Sequence, residues 1–170
     1  MDNLLTSARA KESIMLTTFT ASENSQIDVL LGSVSALVRN VTRRDFTVET
    51  YTEATSGADT SLLVLKQYPI VSVTSVTFKG FGGDQIVTGH TIDVAQGMLF
   101  RRSSIWNKGY QNYEVVYEAG YATLPDDLVQ ACAEWVSALF WKAKGNVALG
   151  PDLPTESMRR VFWQYRRSII

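Results

Sequence analysis

The residue types that most often carry catalysis or bind metals are scarce in this chain. It has one histidine, His90, and one cysteine, Cys132. His90 and Asp93 are too few ligands for a metal site, and no supporting catalytic group is recognisable around His90. Cys132 lies within an apolar stripe, where a cysteine more often packs as a small hydrophobic residue than acts as a nucleophile. We therefore predict a noncatalytic protein that has no metal site and uses no cofactor.

A glycine-rich segment, Lys79-Gly-Phe-Gly-Gly-Asp84, is the nearest approach to a phosphate-binding loop. It lacks the Lys-Ser/Thr ending of a P-loop and the Gly-x-Gly-x-x-Gly spacing of a dinucleotide loop. A flexible hairpin tip is the better interpretation. Phe81 is unusual there, because Gly, Pro, Asn, Asp and Ser dominate turns. Two interpretations stay open: the tip folds back on its sheet, or it is an interaction loop.

Two segments combine basic and aromatic residues, a composition found on nucleic-acid-binding surfaces. The first segment contains Arg101, Arg102, Trp106, Lys108, Tyr110 and Tyr113. The second, at 158–170, has no acidic residue and contains Arg159, Arg160, Phe162, Trp163, Tyr165, Arg166 and Arg167. The formal net charge of the whole chain is -1, so no global positive field attracts it to nucleic acid. A small nucleic-acid-binding protein that uses the basic C-terminal segment is the alternative function.

The composition is that of one soluble globular protein, with 170 residues of which 45% are hydrophobic and 19% charged. A lone cysteine excludes a disulfide framework. No apolar run approaches the roughly 20 residues that a membrane helix needs, and the N-terminal sequence lacks the basic and apolar regions of a signal peptide. We expect an intracellular protein without membrane contact.

Two long amphipathic helices are predicted, at about 22–43 and 125–144. Thr20-Ala-Ser-Glu23 has the form of a capping box before the first helix. One face of that helix carries Ile27, Leu30, Leu31, Val34, Leu37, Val38 and Val41. Leu124-Pro-Asp-Asp127 begins the second helix. A shorter helix is predicted at about 155–167, and a weaker candidate at 6–15.

Between the long helices the hydrophobic period changes to the alternation that is typical of strands. The predicted strands are 46–53, 62–66, 70–79, 85–87, 91–94, 98–102 and 113–117. The alternation slips near Thr74 and Ser75, which indicates a bulge. The predicted fold class is α+β, a small helical bundle packed with a central antiparallel β region, plus a short C-terminal helix. We expect one domain at 1–145 and a linker with a C-terminal extension at 146–170.

Several short motifs resemble those of a known family. Val38-Arg-Asn-Val-Thr-Arg-Arg-Asp-Phe46 ends a helix, and Pro69-Ile-Val-Ser-Val73 opens a strand. Val116 to Cys132 contains a strand, a Gly-Tyr turn and a Leu-Pro-Asp-Asp-Leu helix start. Their order resembles the head–tail connector (adaptor, or head-completion) proteins of long-tailed bacteriophages. The resemblance covers about residues 22–145, and residues 154–167 are similar to the family's C-terminal extension.

This resemblance implies a noncatalytic subunit of a connector ring in the virion neck, assembled in the host cytoplasm. The ring is expected to have twelve copies, beneath the portal protein and above a downstream connector, stopper or tail protein. Packaged double-stranded DNA would pass through its lumen. The residues implied to bind the portal are Arg159, Arg160, Phe162, Trp163, Tyr165, Arg166 and Arg167. The implied tail-side loop uses Lys79, Phe81 and Asp84.

The C-terminal segment has a second interpretation. A helix of about 12 residues is marginal alone in water, so its apolar side must pack on something. That partner is either its own subunit or the portal, and the sequence leaves both open.

Overall fold

The structure, a computed structural model, describes residues 3–145 and 154–166. The chain divides into two compact units. The helical unit comprises the described residues of 1–46 and 123–170, and the β unit comprises residues 47–122. The predicted boundary between a domain ending at 145 and an extension beginning at 146 adjoins residues 146–153, which lie outside the described residues.

The helical unit contains the predicted helices. They are α1 (Ser7–Ile14), α2 (Ala21–Thr42), α3 (Asp126–Ala143) and α4 (Glu156–Gln164). The two long helices are therefore confirmed to within one residue at each end. The capping box is confirmed too, since the Thr20 hydroxyl accepts from the Glu23 amide at 3.3 Å and the Glu23 carboxylate accepts from the Thr20 amide at 2.7 Å. Among the described residues, no helix is long and apolar enough to cross a membrane.

The core of the helical unit forms around α3, on which α1, α2 and α4 pack. The buried residues of α3 are Leu128, Ala131, Cys132, Ala133, Trp135, Val136 and Phe140. Ile27, Leu31, Val34 and Val38 of α2 are buried as well. The apolar face of α2 is wider than the part that is buried, because Leu37 and Val41 are exposed.

The β unit consists of antiparallel strands, as predicted. They are β1 (Glu49–Thr55), β2 (Leu62–Val64), β3 (Ile70–Gly80), β4 (Gly83–Ile86), β5 (Thr91–Asp93), β6 (Met98–Phe100) and β7 (Tyr113–Ala119). One sheet has the order β1-β7-β3-β4 and the other the order β2-β6-β5. The register of β3 against β7 shifts between Val73 and Ser75, which confirms the predicted bulge.

Strand β1 differs from its prediction in position, and the structure shows which of its faces is inward. It begins at Glu49 and not at Phe46, which is buried in the helical unit with its ring 5.9 Å from that of Tyr165. Along β1, Tyr51 and Thr55 are half-buried and Glu53 is buried, whereas Thr50, Thr52 and Ala54 are exposed. The strand thus places a carboxylate on its inward face.

The β unit has its own hydrophobic core, centred on the inward face of β7. Its members are Leu63, Leu65, Ile70, Val76, Leu99, Trp106, Tyr113, Val115, Tyr117 and Ala119. The Trp106 ring lies edge-on to that of Tyr113, with centroids 5.1 Å apart, and its Nε1 donates to the Ser61 carbonyl at 3.1 Å. The polar atom of this buried indole is therefore satisfied.

Replacing Trp135 by alanine is expected to destabilise the protein by about 3 to 5 kcal/mol, because the substitution leaves a cavity in the core of the helical unit. The Trp135 ring is buried, with its centroid 5.9 Å from that of Phe162. Trp163→Ala is the control, since Trp163 is 59% exposed and its removal should cost less than about 1 kcal/mol. Equilibrium chemical denaturation measures both losses, and a loss at Trp135 as small as the control's would contradict the assignment.

The capping box makes a pH-dependent contribution to stability. The Lys144 ammonium, together with the Thr20 amide and hydroxyl, lowers the pKa of Glu23 from 4.5 to about 2. A carboxyl group whose pKa is depressed on folding stabilises the fold above its unfolded pKa, and this contribution is lost as the pH falls towards the folded pKa. We expect Glu23→Gln to lower the denaturation midpoint at pH 7, and the difference from the native chain to shrink between about pH 4.5 and pH 2. A difference that stays constant over this range would contradict the prediction.

Candidate interaction surfaces

The residues with catalytic potential are not assembled into a site. Cys132 is buried in α3, and burial raises the pKa of its thiol to about 12, so the thiol stays neutral. His90 is half-buried beside the Trp106 ring, and burial, together with the Arg101 charge, lowers its pKa. In residues 3–145 and 154–166, no group of three or more His, Cys, Asp and Glu residues is placed to hold a metal ion.

The glycine-rich segment forms the tip of the β3–β4 hairpin. Phe81 is fully exposed, so the tip does not fold back on the sheet. Lys79 and Asp84 are cross-strand partners at the base of the tip, with Nζ 2.6 Å from the Asp84 carboxylate. Glu114 of β7 lies 3.3 Å from the same Nζ. This charge pairing raises the pKa of Lys79, principally through the hydrogen bond to Asp84.

The hairpin therefore combines an anchored base with an apolar tip. Gly83 has a φ of 99°, which favours glycine in this turn. All four residues of β4 are exposed, including Ile86. The hairpin thus holds two large apolar side chains, Phe81 and Ile86, in water.

The C-terminal helix α4 packs one of its faces on its own chain. Phe162 is 1% exposed, and Met158 is buried with it. The Tyr165 hydroxyl donates to the Asp127 carboxylate at 2.7 Å. The apolar side of α4 is thus covered within the subunit, and Phe162 has no free surface for a partner in this arrangement.

The opposite face of α4 is basic and carries one large aromatic ring. Trp163 is exposed, and the Arg166 guanidinium lies 4.6 Å from the centroid of its ring. Arg159 and Arg160 are exposed, and Arg160 pairs with Glu156 at 3.0 Å one helical turn away. We call this outer face the α4 patch, formed by Trp163, Arg159, Arg160 and Arg166. The predicted contact Arg167 lies outside the described residues.

The segment with interleaved bases and aromatics contributes two of its six basic and aromatic residues to the core of the β unit. Trp106 and Tyr113 are buried, and Arg101 lies over the Trp106 ring at 5.3 Å while donating to the Ile105 carbonyl at 3.0 Å. The exposed members are Arg102, Lys108 and Tyr110. The pattern thus reflects a buried indole and its neighbours more than a continuous nucleic-acid-binding surface.

Sequence reasoning missed one polar group, the buried carboxylate of Glu53. Its Oε2 accepts from the Tyr117 hydroxyl at 2.8 Å and from the Lys66 amide at 2.9 Å. The available signal was that Glu53 alternates in phase with Tyr51, an aromatic residue that favours the covered side of a sheet.

Comparisons with known proteins show which fold and family this is. The computed fold is similar to a chain in the structure "Neck of empty GTA particle computed with C6 symmetry", with a TM-score of 0.66 and 16% identity over 96% of this chain and 90% of that chain. "Virion of native gene transfer agent (GTA) particle" gives a TM-score of 0.64, with the same identity and the same coverage of both chains. "Neck of native GTA particle computed with C12 symmetry" gives 0.60 at 16% identity over 96% of this chain and 88% of that chain. At this identity the likeness establishes the fold.

No curated protein sequence gives a significant match to this chain. The sequence profile of one family, described as head completion protein, matches residues 3–147. That range covers nearly all of the described sequence, including α1, α2, α3 and every strand. The chain therefore belongs to the head completion protein family, the structural proteins of the head–tail interface of phage-like virions.

Proposed function

We propose that this protein is a noncatalytic ring subunit that docks beneath the portal, joins head to tail and forms part of the channel for packaged DNA. The observation that carries the proposal is the family match over residues 3–147. A ring of twelve copies is supported by the twelvefold symmetry used for one of the similar neck structures. In such a ring each subunit meets the next through two different surfaces, and closure of the ring limits the assembly.

The charge of the chain suits a channel through which DNA must move. Tight binding to DNA arises from neutralisation of phosphates by clustered cations. Here the formal net charge is -1, Arg160 is paired with Glu156, and Lys79 is paired with Asp84 and Glu114. A subunit with this charge surrounds DNA without binding it tightly. The near-neutral net charge favours the ring subunit over the alternative of a small nucleic-acid-binding protein.

The α4 patch is the surface that we assign to the portal. Tryptophan and arginine dominate the hot spots of protein interfaces, and a guanidinium pairs with carboxylates through two parallel hydrogen bonds. Trp163 supplies the apolar anchor, while Arg159, Arg160 and Arg166, with Arg167, face acidic groups of the portal. Phe162 and Tyr165 contribute by fixing α4 on α3, so that Trp163 points outward.

The β3–β4 hairpin is the surface that we assign to the tail side. Phe81 is its apolar anchor, and the ion pair between Lys79 and Asp84 fixes the base on which the tip stands. The glycines on both sides of Phe81 allow the tip to adapt its shape to the next protein of the neck.

Trp163→Ala is expected to weaken binding of the purified chain to the portal protein of the same particle by about tenfold or more, as removal of a hot-spot aromatic does. The control is Val29→Ala, which removes another exposed apolar side chain of the helical unit. Both variants should keep the native melting temperature. Surface plasmon resonance measures the affinity, and an unchanged Kd for Trp163→Ala would exclude the α4 patch as the portal contact.

Phe81→Ser should leave folding intact, because the side chain makes no buried contact, and should reduce the fraction of DNA-filled heads that acquire tails. Val71→Ser is the control, since Val71 is an exposed apolar residue of β3, the strand that precedes the tip. Electron microscopy of particles complemented with each variant counts tailed and tailless heads. Normal numbers of tailed particles with Phe81→Ser would refute the tail-side assignment.

A further inference from the structure

The β unit contains a small polar pocket that neither the α4 patch nor the hairpin uses. Its lining includes Tyr51, Glu53, Lys66, Gln67, Gln111 and Tyr117. Its volume is about 260 Å³, below the range of roughly 300–1,000 Å³ that is typical of small-molecule sites. A space of this size suits one inserted side chain.

The carboxylate of Glu53 is held rigidly in this pocket. Glu53 is 8% exposed, and its Oε2 accepts the hydrogen bonds from the Tyr117 hydroxyl and the Lys66 amide. The Tyr117 oxygen accepts in turn from the Gln67 amide at 3.2 Å. Burial raises the pKa of Tyr117, so its hydroxyl remains a donor at physiological pH.

The ion pair between the Glu53 carboxylate and the Lys66 ammonium is weak. Oε1 lies 3.9 Å from the Lys66 Nζ, beyond the range of a direct hydrogen bond. The Lys66 side chain is 75% exposed, so solvent screens its charge. A buried carboxylate is costly unless an opposite charge and good hydrogen bonds compensate it. Within the described structure, Oε2 accepts two hydrogen bonds, and Oε1 has only this distant, exposed ammonium as its ion-pair partner.

Two aromatic rings complete the pocket. The centroids of Tyr51 and Tyr117 are 5.7 Å apart, with the rings inclined at 37°. The electron-rich faces of aromatic rings attract cations. Tyr117 is fully buried and Tyr51 is half-buried, so the Tyr51 ring is the one that an entering cation can reach. A carboxylate beside this ring is a chemical environment suited to a cation, and the flat guanidinium both stacks on rings and pairs with carboxylates.

We propose that this pocket binds the guanidinium of an arginine side chain inserted by another protein molecule, which displaces the Lys66 ammonium from Glu53. In the connector ring, on which this part of the inference rests, the arginine belongs either to a neighbouring copy or to another neck protein. The chemistry of recognition is the same for both. An alternative role for Glu53 is to protect the edge strand β1 from pairing with another chain, as inward-pointing charges do. That role needs the carboxylate but predicts no affinity for guanidinium.

The test uses the full-length chain, at a concentration low enough to keep it monomeric, and two probes, N-acetyl-arginine amide and the neutral isostere N-acetyl-citrulline amide. The backbone amides of Lys66 and Gln67 are reporters, because they donate to Glu53 and to Tyr117. We expect the arginine probe to shift both amide resonances saturably in NMR spectra, and the citrulline probe to leave them unchanged. Equal shifts with both probes, or none with either, would overturn the proposal and leave the proposed ring function untouched.

Two variants change the affinity in opposite directions. Glu53→Gln keeps the size of the side chain and an oxygen acceptor, and should weaken binding of the arginine probe by about tenfold or more, since the charge-assisted pairing is lost. Lys66→Met removes the competing ammonium and should strengthen binding several-fold. Glu49→Gln, at an exposed position of the same strand, is the control and should bind as the native chain does. Unchanged affinity in both Glu53→Gln and Lys66→Met would contradict the site.

The source of the arginine is distinguished by the effect of Glu53→Gln on assembly. Weaker self-association of the purified chain in light scattering identifies a neighbouring copy as the donor. Unchanged self-association with weaker binding of another neck protein identifies that protein. Unchanged binding of both would overturn the insertion of an arginine in the assembled neck.

Discussion

The β unit depends on the burial of alternate side chains of β7. Tyr113, Val115, Tyr117 and Ala119 are all at most 1% exposed, and β7 lies between β1 and β3 in its sheet. A shift of one residue would turn these four side chains to the opposite face, so the register is strongly fixed. That register also positions the groups of the pocket and of the hairpin. It places Tyr51 opposite Tyr117, and it brings Glu114, on the other face of β7, close to Lys79 at the base of the hairpin.

In the helical unit the corresponding constraint is the packing of α4 on α3. A helix of nine residues is too short to persist by itself. Burial of Met158 and Phe162 provides the stabilisation that keeps α4 helical. Once these side chains are inward, the 3.6-residue period turns Arg159, Arg160 and Trp163 outward. The composition of the α4 patch is therefore a consequence of how the helix is held.

Much of this arrangement could be predicted from the sequence, because it depends on local period and capping. The long helices, the capping box and the bulge in β3 are signals of this kind. The surface on which an apolar face packs is not encoded in such local signals. The spacing of Met158 and Phe162 indicates a buried stripe on α4, but only the position of Trp135 reveals that the stripe packs on its own chain. Trp106 was missed as core for the same reason, since it pairs with Thr60 and donates to the Ser61 carbonyl, and both residues lie far from it in the sequence.

Glu53 illustrates a different limit of sequence reasoning. Alternation along β1 separates two sets of residues, and both contain polar side chains, so hydrophobicity alone does not decide which set is inward. The inward set is selected by Tyr117 on the neighbouring strand, which provides a hydroxyl donor and a ring surface that a threonine would not use. Because a buried carboxylate gains nothing from hydrophobic packing, its position must be supported by hydrogen bonds. Those from Tyr117 and Lys66 occupy one oxygen and leave the other facing an exposed ammonium 3.9 Å away, which is an arrangement that an incoming cation would improve.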